Sequence, residues 1–309
     1  MEKTGNFVNT WGATMCSIAE NNPDVVIIDA DLAKASGSYP FRDRFPERHF
    51  NTGIAEQDMV GVACGLADCG KIPFVVTFAC FATQRACDQL VNGVAYNHLN
   101  VKVIGMGAGL TCTKNGGTHM GIIDLGIARS IPGFSVFDPS DVVEFDRILR
   151  YAASVPGAMY IRSNRGDLPV VHQDDFVFTP GKAEILSSGS DVTLITSGIT
   201  TAEGIKATES LRSKGIRVDH LHLATIKPLD TESIVNSLKK TGKAVVCENH
   251  TVACGLGSAV CEALSEEYPV PVYRLGLKDC FGETASLSYL CAKYGIDSTA
   301  IESKILSIL

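Results

Sequence analysis

The sequence has no C-x-x-C pair, although it contains eleven cysteines. Without that spacing, neither a structural zinc site nor a disulfide framework of the secreted type is supported. Most of the cysteines lie in apolar stretches, where a free thiol behaves as a small hydrophobic side chain. We therefore expect reduced, buried thiols and a cytoplasmic protein that has no metal ligands of its own.

The sequence also lacks an excess of positive charge and any long apolar run. Its formal net charge is −7, which argues against a nucleic-acid footprint or a basic membrane-binding surface. No stretch approaches the roughly 18 apolar residues of a membrane span, and the first residues do not resemble a signal peptide. The composition, 45% hydrophobic and 20% charged, is typical of a globular protein with a large core.

Short apolar runs alternate with helix-like segments along the chain. Runs such as 25–28, 73–78 and 101–106 are apolar throughout, as in parallel strands covered on both faces. A polar, irregular stretch separates this alternation from a second one. We predict an α/β protein of two α/β domains with mainly parallel sheets, at residues 1–170 and 185–309, joined by a linker at 171–184. Helices are predicted at 56–69, 83–97 and 120–130, among others.

The chemistry is concentrated between Asn51 and Gln89. Glu56 opens a predicted helix and lies among Gly53, Ile54 and Ala55 rather than in a charged face, so we expect it to be buried. An acid in a first helical turn is also common without function. Phe78 and Phe81 end a predicted buried strand and would by default be core residues. Together, a buried acid and two aromatics suit a flat, protonatable heterocycle.

Two further groups stand at the ends of predicted strands. The run Lys114–His119 contains adjacent glycines before a predicted helix, so His119 is either a local hydrogen-bonding residue or a ligand-binding one. Arg162 and Arg165 end another strand and either anchor an anion or form a salt bridge near the linker.

These features, in this order, resemble the second half of a transketolase: its pyrimidine-binding domain followed by its C-terminal domain. The resemblance covers nearly the whole chain. The runs that carry it are Asp29–Leu32, Asn51–Gln57, Thr77–Thr83, Gly116–His119, Asp138–Asp141, Ile226–Asp230, Glu248–Thr251 and Phe281–Glu283.

The resemblance implies a cofactor site for thiamine diphosphate. Glu56 matches the acid that hydrogen-bonds the aminopyrimidine and favours its imino tautomer. Phe81 matches the aromatic that stacks on the pyrimidine, with Phe78 in the wall of the site. Asp31 matches an acid at the cofactor-binding subunit interface. Catalysis is thus expected to involve Glu56 together with His119.

The same resemblance implies a substrate site. His119 matches a histidine that hydrogen-bonds a substrate oxygen, and Arg162 matches an arginine that grips a phosphate. Asn115, which we place with the substrate-binding residues, stands where the family often has an aspartate. Val8 and Gly107 stand where the family often has an arginine and a histidine that bind the sugar phosphate. We infer an atypical sugar, with a shortened or branched phosphate or a sulfonate, and Lys114 or Arg165 supplying replacement charge.

One family motif is missing from the chain. The diphosphate-binding half of a transketolase carries Gly-Asp-Gly and a later Asn, which hold Mg²⁺ and the diphosphate, whereas the nearest run here is Gly166-Asp167-Leu168. The chain therefore resembles the smaller subunit of a split transketolase. It is expected to need a diphosphate-binding partner that holds the Mg²⁺, in a heterotetramer of two copies of each subunit.

Three other interpretations remain open. The β subunit of a 2-oxo acid dehydrogenase has the same two domains, but the Gly-Gly-Thr-His loop and the Phe-x-x-Phe strand end look like transketolase. A fragment of a deoxyxylulose-phosphate synthase is a second alternative. The third is a catalytically silent partner subunit, against which the intact Glu56 argues.

Overall fold

The computed structural model describes residues 3–309 and contains two main β-sheets with helices packed on their faces. The strands are β1 (Thr4–Asn6), β2 (Val25–Asp29), β3 (His49–Asn51), β4 (Ile72–Phe78), β5 (Lys102–Met106), β6 (Ser135–Phe137), β7 (Met159–Ser163), β8 (Asp167–Pro169), β9 (Glu184–Ser187), β10 (Val192–Thr196), β11 (Val218–His222), β12 (Thr225–Lys227), β13 (Ala244–Thr251) and β14 (Val272–Leu277).

Eleven α-helices connect these strands in the described part of the chain. They are α1 (Phe7–Asn21), α2 (Ala33–Ser36), α3 (Tyr39–Arg44), α4 (Glu56–Asp68), α5 (Asp124–Ser130), α6 (Val142–Ser154), α7 (Thr200–Ser213), α8 (Thr231–Thr241), α9 (Leu256–Glu267), α10 (Leu287–Tyr294) and α11 (Ser298–Ile308). No helix among residues 3–309 combines the length and apolar character that a membrane crossing requires.

The first sheet has seven strands in the order β12-β6-β7-β5-β4-β2-β3. All its pairs are parallel except β12 with β6, and β12 comes from the second half of the chain. The second sheet has the order β14-β13-β10-β11-β9, with only β9 antiparallel. Strands β2, β4, β5 and β7 end at the same edge of the first sheet, where the side chains discussed below collect.

The predicted α/β class with mainly parallel sheets is confirmed. The helix predicted at 83–97 consists instead of two π-helical segments, Phe81–Arg85 and Gln89–Ala95. The helix predicted at 120–130 begins only at Asp124. β9 and α10 were not predicted, since β9 is a short, half-exposed strand at a sheet edge and α10 has only two turns. The division at 1–170, 171–184 and 185–309 stays a prediction.

All eleven cysteines are free thiols. The expectation that they are buried is confirmed for five of them and wrong for three exposed ones: Cys69, Cys254 and Cys280. These three lie in turns or loops after or between the regular elements, where the apolar character of the surrounding sequence does not by itself produce burial.

Candidate active site

Glu56 lies on the buried face of α4, at its first residue. Its neighbours on that face, Met59, Val60 and Ala63, are all buried and follow at spacings of three, four and seven residues. This period brings one side of a helix onto the sheet, so the carboxylate is only 1% exposed. The helix N-terminus also favours the negative charge. The predicted burial of Glu56 is confirmed.

Three rings lie together where β4 ends. The ring centroid of His119 is 5.4 Å from that of Phe78 and 5.2 Å from that of Phe81, and both contacts are edge-to-face. The two phenylalanine rings are 5.7 Å apart, also edge-to-face. Phe78 is buried, whereas Phe81 and His119 are partly exposed. The structure therefore brings these three predicted site residues into one aromatic cluster.

Arg85 joins this aromatic cluster to Glu56. Its Nη1 donates a hydrogen bond of 2.8 Å to Oε2 of Glu56, and its guanidinium carbon lies 4.0 Å from the centroid of the Phe81 ring. Arg85 was not among the predicted site residues, because it lies in a segment with charges of both signs. The signal that was available is its position four residues after Phe81, which brings the two side chains onto one face of a helical turn.

The loop between β5 and α5 carries His119 and is held by the second half of the chain. The Leu110 N–H donates to Oδ1 of Asn249 over 2.9 Å, and Nδ2 of Asn249 donates to the Ala108 carbonyl over 3.3 Å. Gly109 has φ +54°, and a Cβ there would lie 2.3 Å from the Asn249 side chain. A glycine is thus required for this close approach. The second half of the chain thereby shapes a loop of the candidate site.

Arg162 is completely buried, which disagrees with its expected role in gripping a substrate phosphate. Its Nε and Nη2 donate to the two carboxylate oxygens of Asp124 at 2.8 and 2.5 Å, and its Nη1 donates to the Asn249 carbonyl. Burial alone would raise the pKa of Asp124, but the adjacent guanidinium outweighs it and lowers that pKa. All the donors of Arg162 serve the junction between the two sheets, so this side chain has none left for a substrate.

A cavity of about 400 Å³ lies beside the aromatic cluster and is lined by three cationic side chains: Lys34, Lys114 and Arg165. Val8 lines the same cavity, so these cations lie next to the position where the family often has an arginine. Arg165 lies 5.7 Å from the Phe78 ring and donates to Oδ1 of Asn115 over 3.0 Å. The replacement charges expected at Lys114 and Arg165 are therefore next to both the cavity and the rings, and Lys34 was missed.

Asp31 lies at the same edge of the first sheet, after β2. It has a positive φ of 60°, and the Asn51 side chain accepts from its N–H over 3.0 Å. Its carboxylate is exposed, and Oδ1 accepts a hydrogen bond of 3.4 Å from Nδ2 of Asn51. Positive φ is uncommon for a residue other than glycine, and this hydrogen-bonded turn presents the acid at the surface.

The residues of this edge suit the pyrimidine half of thiamine diphosphate. Glu56 provides a buried carboxylate for a ring nitrogen, and Phe81 provides a partly exposed aromatic face beside it. Over residues 3–309, one group of three His, Cys, Asp or Glu side chains has metal-like spacing: Glu144, His172 and His222. These three are bonded to one another or to neighbouring polar groups at the junction of the two sheets.

Two protein families match the chain. Residues 6–171 match "Transketolase, pyrimidine binding domain", and residues 181–301 match "Transketolase, C-terminal domain". The chain is 41% identical over 95% of its length to a 6-deoxy-6-sulfo-D-fructose transketolase subunit of a Clostridium species, of which it covers 91%. It is 33% identical over its full length to an apulose-4-phosphate transketolase subunit of Actinobacillus succinogenes, all of which it covers.

Matches to longer proteins cover about half of those proteins. The chain is 35% identical to a 1-deoxy-D-xylulose-5-phosphate synthase of Desulforudis audaxviator and spans 46% of it. A solved split-gene transketolase, described as an inactive β4 tetramer, superposes with a TM-score of 0.89 at 40% identity and covers 98% of this chain and 97% of its own. The chain belongs to the transketolase family, and this family implies a transferase that depends on thiamine diphosphate.

Proposed function

We propose that this chain is the smaller subunit of a two-chain transketolase that transfers a two-carbon ketol unit from a ketose to an aldose. The observation that carries the proposal is the buried Glu56 carboxylate beside the partly exposed Phe81 ring. The relatives named as subunits, which the chain covers by nine-tenths or more, support the split organisation. The lower identity to the deoxyxylulose-phosphate synthase makes that activity the less favoured one.

The partner would be a chain that carries the diphosphate-binding motif and the Mg²⁺ ligands missing here, in an assembly of two copies of each. Asp31, exposed in its turn after β2, would face this partner at the cofactor. A cytoplasmic location is part of the same proposal, and the free thiols support it.

Each residue of the site has a proposed task. When bound, thiamine diphosphate supplies the electron sink for breaking and forming a carbon–carbon bond. Glu56 would hold a proton at the pyrimidine ring nitrogen, and Phe81 with Phe78 would orient the ring. His119 would donate a hydrogen bond to a substrate oxygen; its Nδ1 is 2.9 Å from Oγ1 of Thr118, which leaves Nε2 for that contact.

We infer that the substrate is a sugar with a terminal anion, either a phosphate or a sulfonate. The cavity lined by Lys34, Lys114 and Arg165 supports this, because three cations at one cavity suit a group of one or two negative charges. Asn115 would act here by holding Arg165. The printed names of two relatives include one sulfosugar and one sugar phosphate, so both kinds of anion are known among similar subunits.

The test begins with affinity purification of this chain from its host, followed by a ketol-transfer assay on what co-elutes. We expect a partner of similar size bearing Gly-Asp-Gly, and activity that requires the mixture, thiamine diphosphate and Mg²⁺. Glu56→Gln should lower turnover by about 100-fold or more while circular dichroism of the free chain is unchanged. Wild-type turnover in that variant, or a chain that elutes alone or with a lipoyl-carrying complex, would contradict the proposal.

A further inference from the structure

Arg85 already makes both of the interactions that the site offers. Its guanidinium donates to Oε2 of Glu56 over 2.8 Å and lies over the Phe81 ring at 4.0 Å. A guanidinium is a flat cation that both stacks on aromatic rings and donates in its plane. An aminopyrimidine held by the same acid and the same ring would need the same two surfaces.

The pairing gives Glu56 a counter-charge while no cofactor is bound. A carboxylate that is 1% exposed and has no partner is strongly destabilising, since the charge is removed from water without compensation. Arg85 supplies that partner from within the same chain. A protein whose cofactor site is completed by a second chain has this need whenever its subunits are separate.

Arg85 is also free to leave. About 44% of its side chain is exposed, and within the described chain no third hydrogen bond or ion pair holds it. Arg162 differs on both points, because it is fully buried and its donors reach Asp124, Asp138 and two backbone carbonyls. Rotation of the Arg85 side chain into water would expose the carboxylate and the ring face together.

We propose that Arg85 is a placeholder: it occupies the pyrimidine half-site in the free chain and is displaced when the cofactor binds. This inference rests on the proposed function of Glu56 and Phe81. The cofactor then has to compete with an internal ligand, which lowers its apparent affinity by the fraction of molecules in which Arg85 remains in place.

The experiment measures the dissociation constant of thiamine diphosphate for the purified two-chain complex by calorimetry, with Mg²⁺ present. Arg85→Gln removes the competing ion pair and should lower the dissociation constant by about fivefold, the equivalent of one half-exposed ion pair. An unchanged or higher constant would overturn the placeholder, because an arginine that helps to bind the cofactor weakens binding when it is lost.

Arg44 provides a matched control. It forms an ion pair with Glu20, lies 5.5 Å from the Phe45 ring, and its side chain is 55% exposed. Arg44→Gln should leave the dissociation constant unchanged. If Arg85→Gln does not assemble, Arg85→Lys decides the matter: a constant below wild type supports the placeholder, and one at or above it overturns the idea.

A second readout needs neither the partner nor turnover. In the free chain, Glu56→Gln and Arg85→Gln should show coupled effects on the melting temperature, whereas Glu56→Gln and Arg44→Gln should be additive. Additivity of the first pair would overturn the placeholder. Failure of the proposed function is distinguishable, since it appears as a wild-type complex that does not bind thiamine diphosphate or as a Glu56→Gln complex with full turnover.

Discussion

Two arginine–carboxylate pairs lie in this molecule in opposite settings. Arg162 and Asp124 are both 0% exposed, and the carboxylate also accepts a 2.6 Å hydrogen bond from the Tyr160 hydroxyl. Arg85 and Glu56 share one hydrogen bond, and almost half of the arginine side chain faces solvent. The first pair joins the two sheets, and the second lies at the edge where a cofactor is proposed to bind.

The difference shows what saturation of an ion pair does. A buried guanidinium whose donors are all engaged can be removed only at a large cost, so it is suited to holding two halves of a chain together. A half-exposed guanidinium with one partner contributes little and exchanges readily. Burial and donor saturation therefore separate a structural arginine from one that can yield its place.

Arg162→Met should produce the largest effect. It leaves Asp124 and Asp138 buried without their cation, and we expect the free energy of unfolding to fall by about 3–5 kcal/mol. Arg85→Gln in the free chain should cost about 1 kcal/mol or less. Urea denaturation of both variants checks the comparison, and equal losses would break it.

A second buried charge cluster at the junction makes the comparison sensitive to pH. Burial opposes the charge of His172, but hydrogen bonds to Asp141 and Glu184 outweigh it and raise the pKa of His172 to about 10. His222, whose imidazole is 2.8 Å from a Glu144 carboxylate oxygen, also has a raised pKa, again against the effect of burial.

A raised pKa means stability that is complete below pH 6.5 and is lost as pH rises through about 10. We expect the wild type to lose about 2–4 kcal/mol relative to His172→Gln between pH 7 and pH 10. Denaturation curves of the two proteins at both pH values provide the measurement. Parallel pH dependence in the two would show that His172 does not carry this charge.

Asn249→Ala sharpens the link between the junction and the site. It leaves the buried Leu110 N–H without its acceptor, for a loss of about 1–3 kcal/mol in the free energy of unfolding. Because the adjacent Thr111 lines the cationic cavity, we also expect a higher KM for the ketose. A variant that loses stability with an unchanged KM would separate the loop from substrate binding.

The smallest effects are expected from the cavity itself. Lys34→Gln and Arg165→Gln should each raise the KM for an anionic ketose by about fivefold, with little change in kcat and a weaker dependence on salt. Lys71, which pairs with Asp24 and is 40% exposed, offers a control. Steady-state kinetics at two salt concentrations would reveal whether Lys71→Gln matches the cavity variants, which would exclude the cavity as the anion site.

The sequence predicted the parts of the fold that depend on local pattern. Strands such as β2 and β4 are continuous apolar runs because both their faces are covered, and that property is visible in the residues alone. The burial of Glu56 follows from the apolar spacing of α4 after it. By contrast, the segment predicted as one helix at 83–97 became two π-helical pieces, since a single inserted residue per turn leaves no clear mark on the apolar period.

The sequence by itself thus determined the α/β alternation, the buried acid and the aromatic residues at the end of β4, because helical and strand periods decide which side chains face a core. Only the tertiary structure decided the tasks of the arginines. Arg162 and Arg165 are three residues apart, yet one points into the junction and the other lines the cavity. Their partners lie tens of residues away or more, and charge pairs at that separation are set by how the two sheets pack.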